Sequence, residues 1–153
     1  MSTKPENTFI KSIHRMLPNV YAEKMANPWR AGTADVWYSG KRGDLWIEYK
    51  FIERIPRSKE ILPELTPRQL RWLCDRFDEG RNVAVVLGTP TGGVIYRNPQ
   101  EWTTPLTPVD FQAKQVTKKE IAEWISRQVG ASACLSPAQS LQLRASLARA
   151  TKS

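Results

Sequence analysis

At 153 residues, 41% hydrophobic and 25% charged, the chain holds enough apolar material for one buried core and departs from disordered and membrane-spanning compositions alike. No apolar run approaches the ~18 residues that cross a bilayer, and two cysteines, Cys74 and Cys134, supply neither a disulfide framework nor a zinc spacing. A net charge of +8 favours a polyanionic partner, nucleic acid before membrane, because neutralised phosphates release counterions.

The opening "MSTKPENTF" lacks the basic-then-apolar layout of a secretory signal, so the expected compartment is a reducing cytoplasm. Pro5 opens a helical pattern that puts Phe9, Ile10, Ile13, Met16 and Leu17 on one side, and Pro18-Asn19 stops it. "VYAEKM" (20–25) reads as a short strand and "NPWRAG" (27–32) as a loop. "TADVWYS" (33–39) and "GDLWIEYK" (43–50) alternate with period two on either side of the turn "GKRG", a hairpin signature. A proline-punctuated, charged connection (52–65) carries Arg54, Arg57 and Lys59. Thr66-Pro67 then predicts a cap and first turn for a helix with Leu70, Leu73, Cys74 and Phe77 inward, ending at Gly80. "NVAVVLG" (82–88) reads as a strand buried on both faces and "GGVIYR" as another short strand. A loop with Pro99, Pro105 and Pro108 follows, and "TKKE" at Thr117 is a capping box for a helix to about Gln128. Residues 131–153, basic and without an acid, read as a tail or one more helix.

The hairpin raises a chemical question. With Lys41 and Arg42 at the tip, cross-strand partners sum to 83, so Trp37 faces Trp46 and Asp35 faces Glu48, away from the face holding Leu45, Ile47 and Tyr49. Read alone, Glu48 and Lys50 simply face water. Directly opposed carboxylates, however, destabilise a sheet, whereas Mg²⁺ asks for hard oxygen ligands from neighbouring strands. Lys50, one step along that face, could then orient a metal-bound water or stabilise charge growing on a phosphate. The solvated-face reading stays open on these residues.

"GTADVWYSGKRGDLWIEYK" resembles the core of the PD-(D/E)xK nuclease superfamily, in which an Asp precedes a hairpin whose second strand carries E-x-K. "LTPRQLRWLCDRFDEGRNVAVVLG" is similar to the VRR-NUC type within it, where the next helix has a Gln near its start and a Val-rich strand follows. The resemblance covers roughly residues 6–96, with Ala34 where the family has Pro before the Asp. It implies a restriction-endonuclease-like α/β core in residues 1–130, a central mixed sheet flanked by helices in the order αβββαβ. Its site would be Asp35, Glu48 and Lys50, with Asp35, Glu48, the Tyr49 carbonyl and Glu6 holding Mg²⁺ (Mn²⁺ substituting) and Gln69 touching substrate or metal-bound water. The basic loop residues Arg54, Arg57 and Lys59 would grip phosphates. The implied activity is a stand-alone, phage-type endonuclease related to Holliday-junction resolvases, acting on double-stranded or branched DNA, often as a homodimer, in the host cytoplasm. Two alternatives keep the composition without the chemistry: a non-catalytic basic nucleic-acid-binding module, or a phage protein that inhibits a host enzyme through its Leu/Ala/Arg-rich tail. Among the remaining candidates, His14 reads as an exposed residue, Cys74 as core and Asp44 as a turn acid, while Trp29, Trp37 and Trp46 read as packing, with stacking on unpaired bases beside basic groups as the other reading. "GTPTGG" lacks the Lys-Ser/Thr ending of a phosphate loop.

Overall fold

The Thr3 hydroxyl accepts from the Glu6 N–H and opens α1 (Lys4–His14), whose buried stripe is Phe9, Ile10 and Ile13. Met16 and Leu17 fall past its end, because Pro18 disfavours a helical backbone before it, and Met16 is largely exposed. β1 (Tyr21–Lys24), β2 (Val36–Gly40) and β3 (Gly43–Phe51) follow as antiparallel neighbours. α2 (Pro67–Asp78) then carries the chain across to β4 (Val83–Gly88), which pairs parallel with β3, and β5 (Gly93–Tyr96) adds an antiparallel edge. The sheet order is β1-β2-β3-β4-β5. α3 (Pro99–Thr103), α4 (Pro108–Lys114), α5 (Lys118–Val129) and α6 (Pro137–Ala150) complete the chain. The structure, a computed structural model, describes residues 3–26, 31–130 and 137–150, so Trp29 and Cys134 lie outside the described residues.

The expected order αβββαβ is present, followed by β5 and the later helices. The proline-bearing segment expected to be a loop is partly helical. Asn98 and Thr107 cap α3 and α4 by accepting from the N–H three residues on, and Pro99 and Pro108 occupy first helical positions, where a missing N–H costs nothing. The Thr117 capping box forms as expected, with Thr117 and Glu120 bonded reciprocally.

Helices pack on both faces of the sheet. On one, α1 and α5 pack Phe9, Ile10, Ile13, Ile121 and Ile125 against Tyr38, Leu45, Ile47, Tyr49 and Val86. On the other, α2, α3 and α4 bring Leu73, Trp102 and Phe111 onto Val83, Val85, Leu87 and Tyr96. Every residue of β4 is buried, as its unbroken β-branched run requires. Phe77, expected inward, is instead 39% exposed, with its ring edge against Trp102. It sits in the last turn of α2. The hairpin has the predicted register: Trp37 pairs with Trp46, and Gly40 with Gly43 across a two-residue tip. That tip is anchored to the end of α5 by Arg42 N–H donating to the Val129 carbonyl at 2.8 Å. A Cβ on Gly40 would lie 2.3 Å from the same carbonyl oxygen, so only glycine permits this approach.

Candidate active site

The face of β3 that alternation left unassigned is the one α2 covers. Glu48 is therefore not solvated but 1% exposed. The correction has a simple cause: two faces can be told apart by period, but the helix that covers this one lies in a later segment. Its N-terminus is held over β3 by Gln69, which serves twice. The Gln69 Oε1 accepts from the Thr66 N–H in a capping box, and its Nε2 donates to Glu48 Oε1 at 2.6 Å. Lys50, 20% exposed, brings its ammonium to 3.7 Å from the same oxygen. Glu48 Oε2 is buried without a hydrogen-bond partner.

Asp35 stands just before β2, at the position the pairing sum places opposite Glu48. Its Oδ2 accepts from the Tyr49 N–H at 2.9 Å, so the carboxylate takes the place of a backbone acceptor where the ladder has ended at Val36–Ile47. The N–H and C=O of one strand residue point the same way, so the Tyr49 carbonyl is also directed to the Asp35 side. Glu6, 7% exposed in the first turn of α1, is near enough to act on Glu48 electrostatically. Burial, then the charge of Asp35 and that of Glu6, push the Glu48 carboxyl up, while Lys50 opposes them; the result is about 8, against an ordinary 4.5.

The site opens on a cleft of about 810 Å³ lined by Glu6, Lys50, Lys59, Glu60, Glu64 and Thr66 among others. Lys59 thus borders the site, and Arg54 and Arg57 are exposed on the same connection. The structure brings Asp35, Glu48, Lys50, Gln69 and Glu6 into one neighbourhood, while Asp44 is exposed at the start of β3 beside the turn.

Three side chains form a hydrogen-bonded series behind the site. His14 is half-buried rather than exposed: its Nε2 meets the Tyr38 hydroxyl at 2.8 Å, and that hydroxyl meets the Tyr49 hydroxyl at 2.5 Å. Burial, then Lys24, hold the His14 imidazole below its usual range. Burial raises both tyrosines. The chain ties α1 to the hairpin directly behind the Tyr49 amide that holds Asp35. The alternation of Tyr38 and Tyr49 onto the core face was the available signal.

The donor chemistry here suits a divalent cation. Glu48 Oε2 is an orphaned buried oxygen, and leaving such an atom unsatisfied costs on the order of 1–3 kcal/mol. Among the described residues no three His, Cys, Asp or Glu side chains form a ready cage. A cation here would rest on two carboxylates, a carbonyl and water, the sparing protein ligation Mg²⁺ accepts.

No family model matches the chain, and no curated protein does. Nine chains of known structure match. One is the Holliday junction resolvase of Archaeoglobus fulgidus, an archaeal hyperthermophile, at 15% identity and a TM-score of 0.51, covering 80% of this chain and 99% of that one. A mixed five-stranded sheet with helices on both faces, aligned over nearly the whole of that neighbour, gives this chain a restriction-endonuclease-like fold.

Proposed function

We propose that the protein is a metal-dependent endonuclease that hydrolyses DNA phosphodiester bonds at branched or junction structures. The observation that carries this reading is Glu48: a buried carboxylate with one oxygen fixed by Gln69 and Lys50 and the other unsatisfied, next to Asp35. Folding alone has no use for that arrangement, since it forces Glu48 up to about 8. The fold shared with a junction resolvase, together with a net charge of +8, supports branched DNA as the substrate.

In this reading Asp35, Glu48 Oε2 and the Tyr49 carbonyl would hold Mg²⁺, or Mn²⁺ in its place, with Glu6 assisting from α1. When bound, the cation would supply Lewis-acid polarisation of the phosphate and a water that ionises more readily. Gln69 and Lys50 occupy Oε1, which fixes the Glu48 carboxylate and leaves Oε2 as the oxygen that would meet the cation. The Lys50 ammonium stabilises charge developing on the phosphate oxygens. Arg54, Arg57 and Lys59 take neighbouring phosphates and position the duplex without reading its bases.

The test is incubation of the purified protein with four-way, flap and linear DNA, in Mg²⁺ or in EDTA. Cleavage of branched DNA in Mg²⁺ alone is expected, and Lys50→Ala should lose at least about 100-fold in rate. Absence of cutting by the wild type, or equal cutting by Lys50→Ala, would overturn the reading.

A further inference from the structure

On the sheet face that carries Glu48, four aromatic rings form a continuous contact series across three strands and a helix. Tyr21 of β1 meets Trp37 of β2 at 5.5 Å between centroids, and Trp37 stacks on Trp46 of β3 at 6.0 Å. Trp46 then meets Trp72 of α2 edge-on at 5.6 Å. The three tryptophans are partly exposed and Tyr21 is 58% exposed. The site described above does not use them.

Two separate geometric routes bring this strip to Glu48. Trp46 lies two residues before Glu48 on the same face of β3, about 6.6 Å along the strand. Trp72 lies one helical turn after Gln69, whose side chain holds Glu48. Cations flank the Trp72 ring along α2: Arg68 one turn before it is exposed, and Arg76 one turn after it lies over the ring at 5.8 Å. Arg76 also pairs with Glu79 at 2.8 Å. At the far end Tyr21 donates to Glu23, which makes the β1 end anionic and confines the useful platform to the three tryptophans.

We infer that Trp37, Trp46 and Trp72 form a stacking platform for unpaired bases of a DNA strand leading into the active site, with Arg68 and Arg76 on its phosphates. Aromatic faces interleaved with cations are what an unpaired strand needs, because every base has a face to stack and every linkage carries a negative charge. A second copy of this chain suits the strip less well: it would set another body of net charge +8 against the same arginines. The inference rests on the nuclease reading for the identity of the polyanion. Its consequence is a preference for branched substrates with a single-stranded arm.

The experiment measures binding of the full-length protein in EDTA, where cutting is not expected. Three DNAs are compared: a blunt duplex, the same duplex with a single-stranded tail, and the same with an abasic tail. The wild type should bind the base-bearing tail about 5- to 150-fold more tightly than the abasic one, the range for stacking one base. Trp72→Leu fills the volume without a π-face and should bring the base-bearing tail down to the abasic level, whereas Trp72→Phe should retain most of the gain. Should Trp72→Leu fail to fold, as a thermal melt would reveal, the wild-type and Trp72→Phe comparisons between tails still decide. Equal binding of base-bearing and abasic tails overturns the inference, as does sedimentation showing a dimer that Trp72→Leu dissolves. Base-dependent tail binding with no cleavage in Mg²⁺ would keep the platform and sink the nuclease. Cleavage with no base dependence would do the reverse.

Discussion

Glu48 makes the stability of this protein depend on pH in a direction opposite to that of an ordinary paired carboxylate. Its folded-state value of about 8 stands above the ordinary 4.5, so between those limits the folded chain holds a proton that the unfolded chain releases. The contribution is fully present below about pH 4.5 and is lost as pH rises through 8. The shift corresponds to at most about 5 kcal/mol, a large part of the stability of a domain this size. Urea unfolding in EDTA at intervals from pH 5 to 9 should show the midpoint falling steadily across that window. Glu48→Gln removes the titrating group while keeping an acceptor for Gln69 Nε2, so its profile should be much flatter and it should exceed the wild type above pH 8. A wild type equally stable at pH 5 and 9, or a Glu48→Gln variant with the same decline, would refute the burial argument.

The other expectations concern the same neighbourhood. If Mg²⁺ binds as proposed, at pH 8 and 100 times its dissociation constant it should restore about 2.7 kcal/mol and release about half a proton per molecule, read by thermal melts and by pH change in weak buffer. Gln69→Leu breaks both the Thr66 capping box and the bond to Glu48 Oε1; it should cost about 1–2 kcal/mol in urea and move the Glu48 transition to still higher pH. Tyr38→Phe leaves the His14 ring and the Tyr49 hydroxyl each short of a partner, which should lower stability by about 1–3 kcal/mol by the same assay. Gly40→Ala drives a methyl group into the Val129 carbonyl and should cost about 1–3 kcal/mol, visible as a lowered melting temperature.

The hairpin was readable because two constraints coincide there. The four residues "GKRG" fix the turn, alternation fixes the faces, and together they leave one register, the one that pairs Trp37 with Trp46. α2 was readable from Thr66-Pro67, and the same cap-and-proline signal stood at Asn98-Pro99 and Thr107-Pro108. Those helices escaped notice because five and seven residues are too few for a 3.6-residue period to show. The burial of Glu48 was hidden for another reason. Alternation separates two faces without naming their covers, and α2, which supplies this cover, begins nineteen positions later in the chain. Glu6 was named only through resemblance, since an acid in a first turn is what any helix dipole favours. His14 was misread because its partner, Tyr38, lies 24 residues away.

The single peptide unit at Tyr49 joins three otherwise separate requirements. Its N–H grips Asp35, its ring hydroxyl closes the link to His14 through Tyr38, and its predecessor in the chain presents Glu48 to the opposite face. A slip of one position in strand pairing would turn Glu48 among the isoleucines under α1 and expose the ring of Tyr49 to the cleft. A wrongly paired chain is thereby both poorly packed and chemically blank. On the nuclease reading proposed above, a half-folded chain would be disarmed by the same geometry that makes it unstable, which would spare the genome beside it during synthesis.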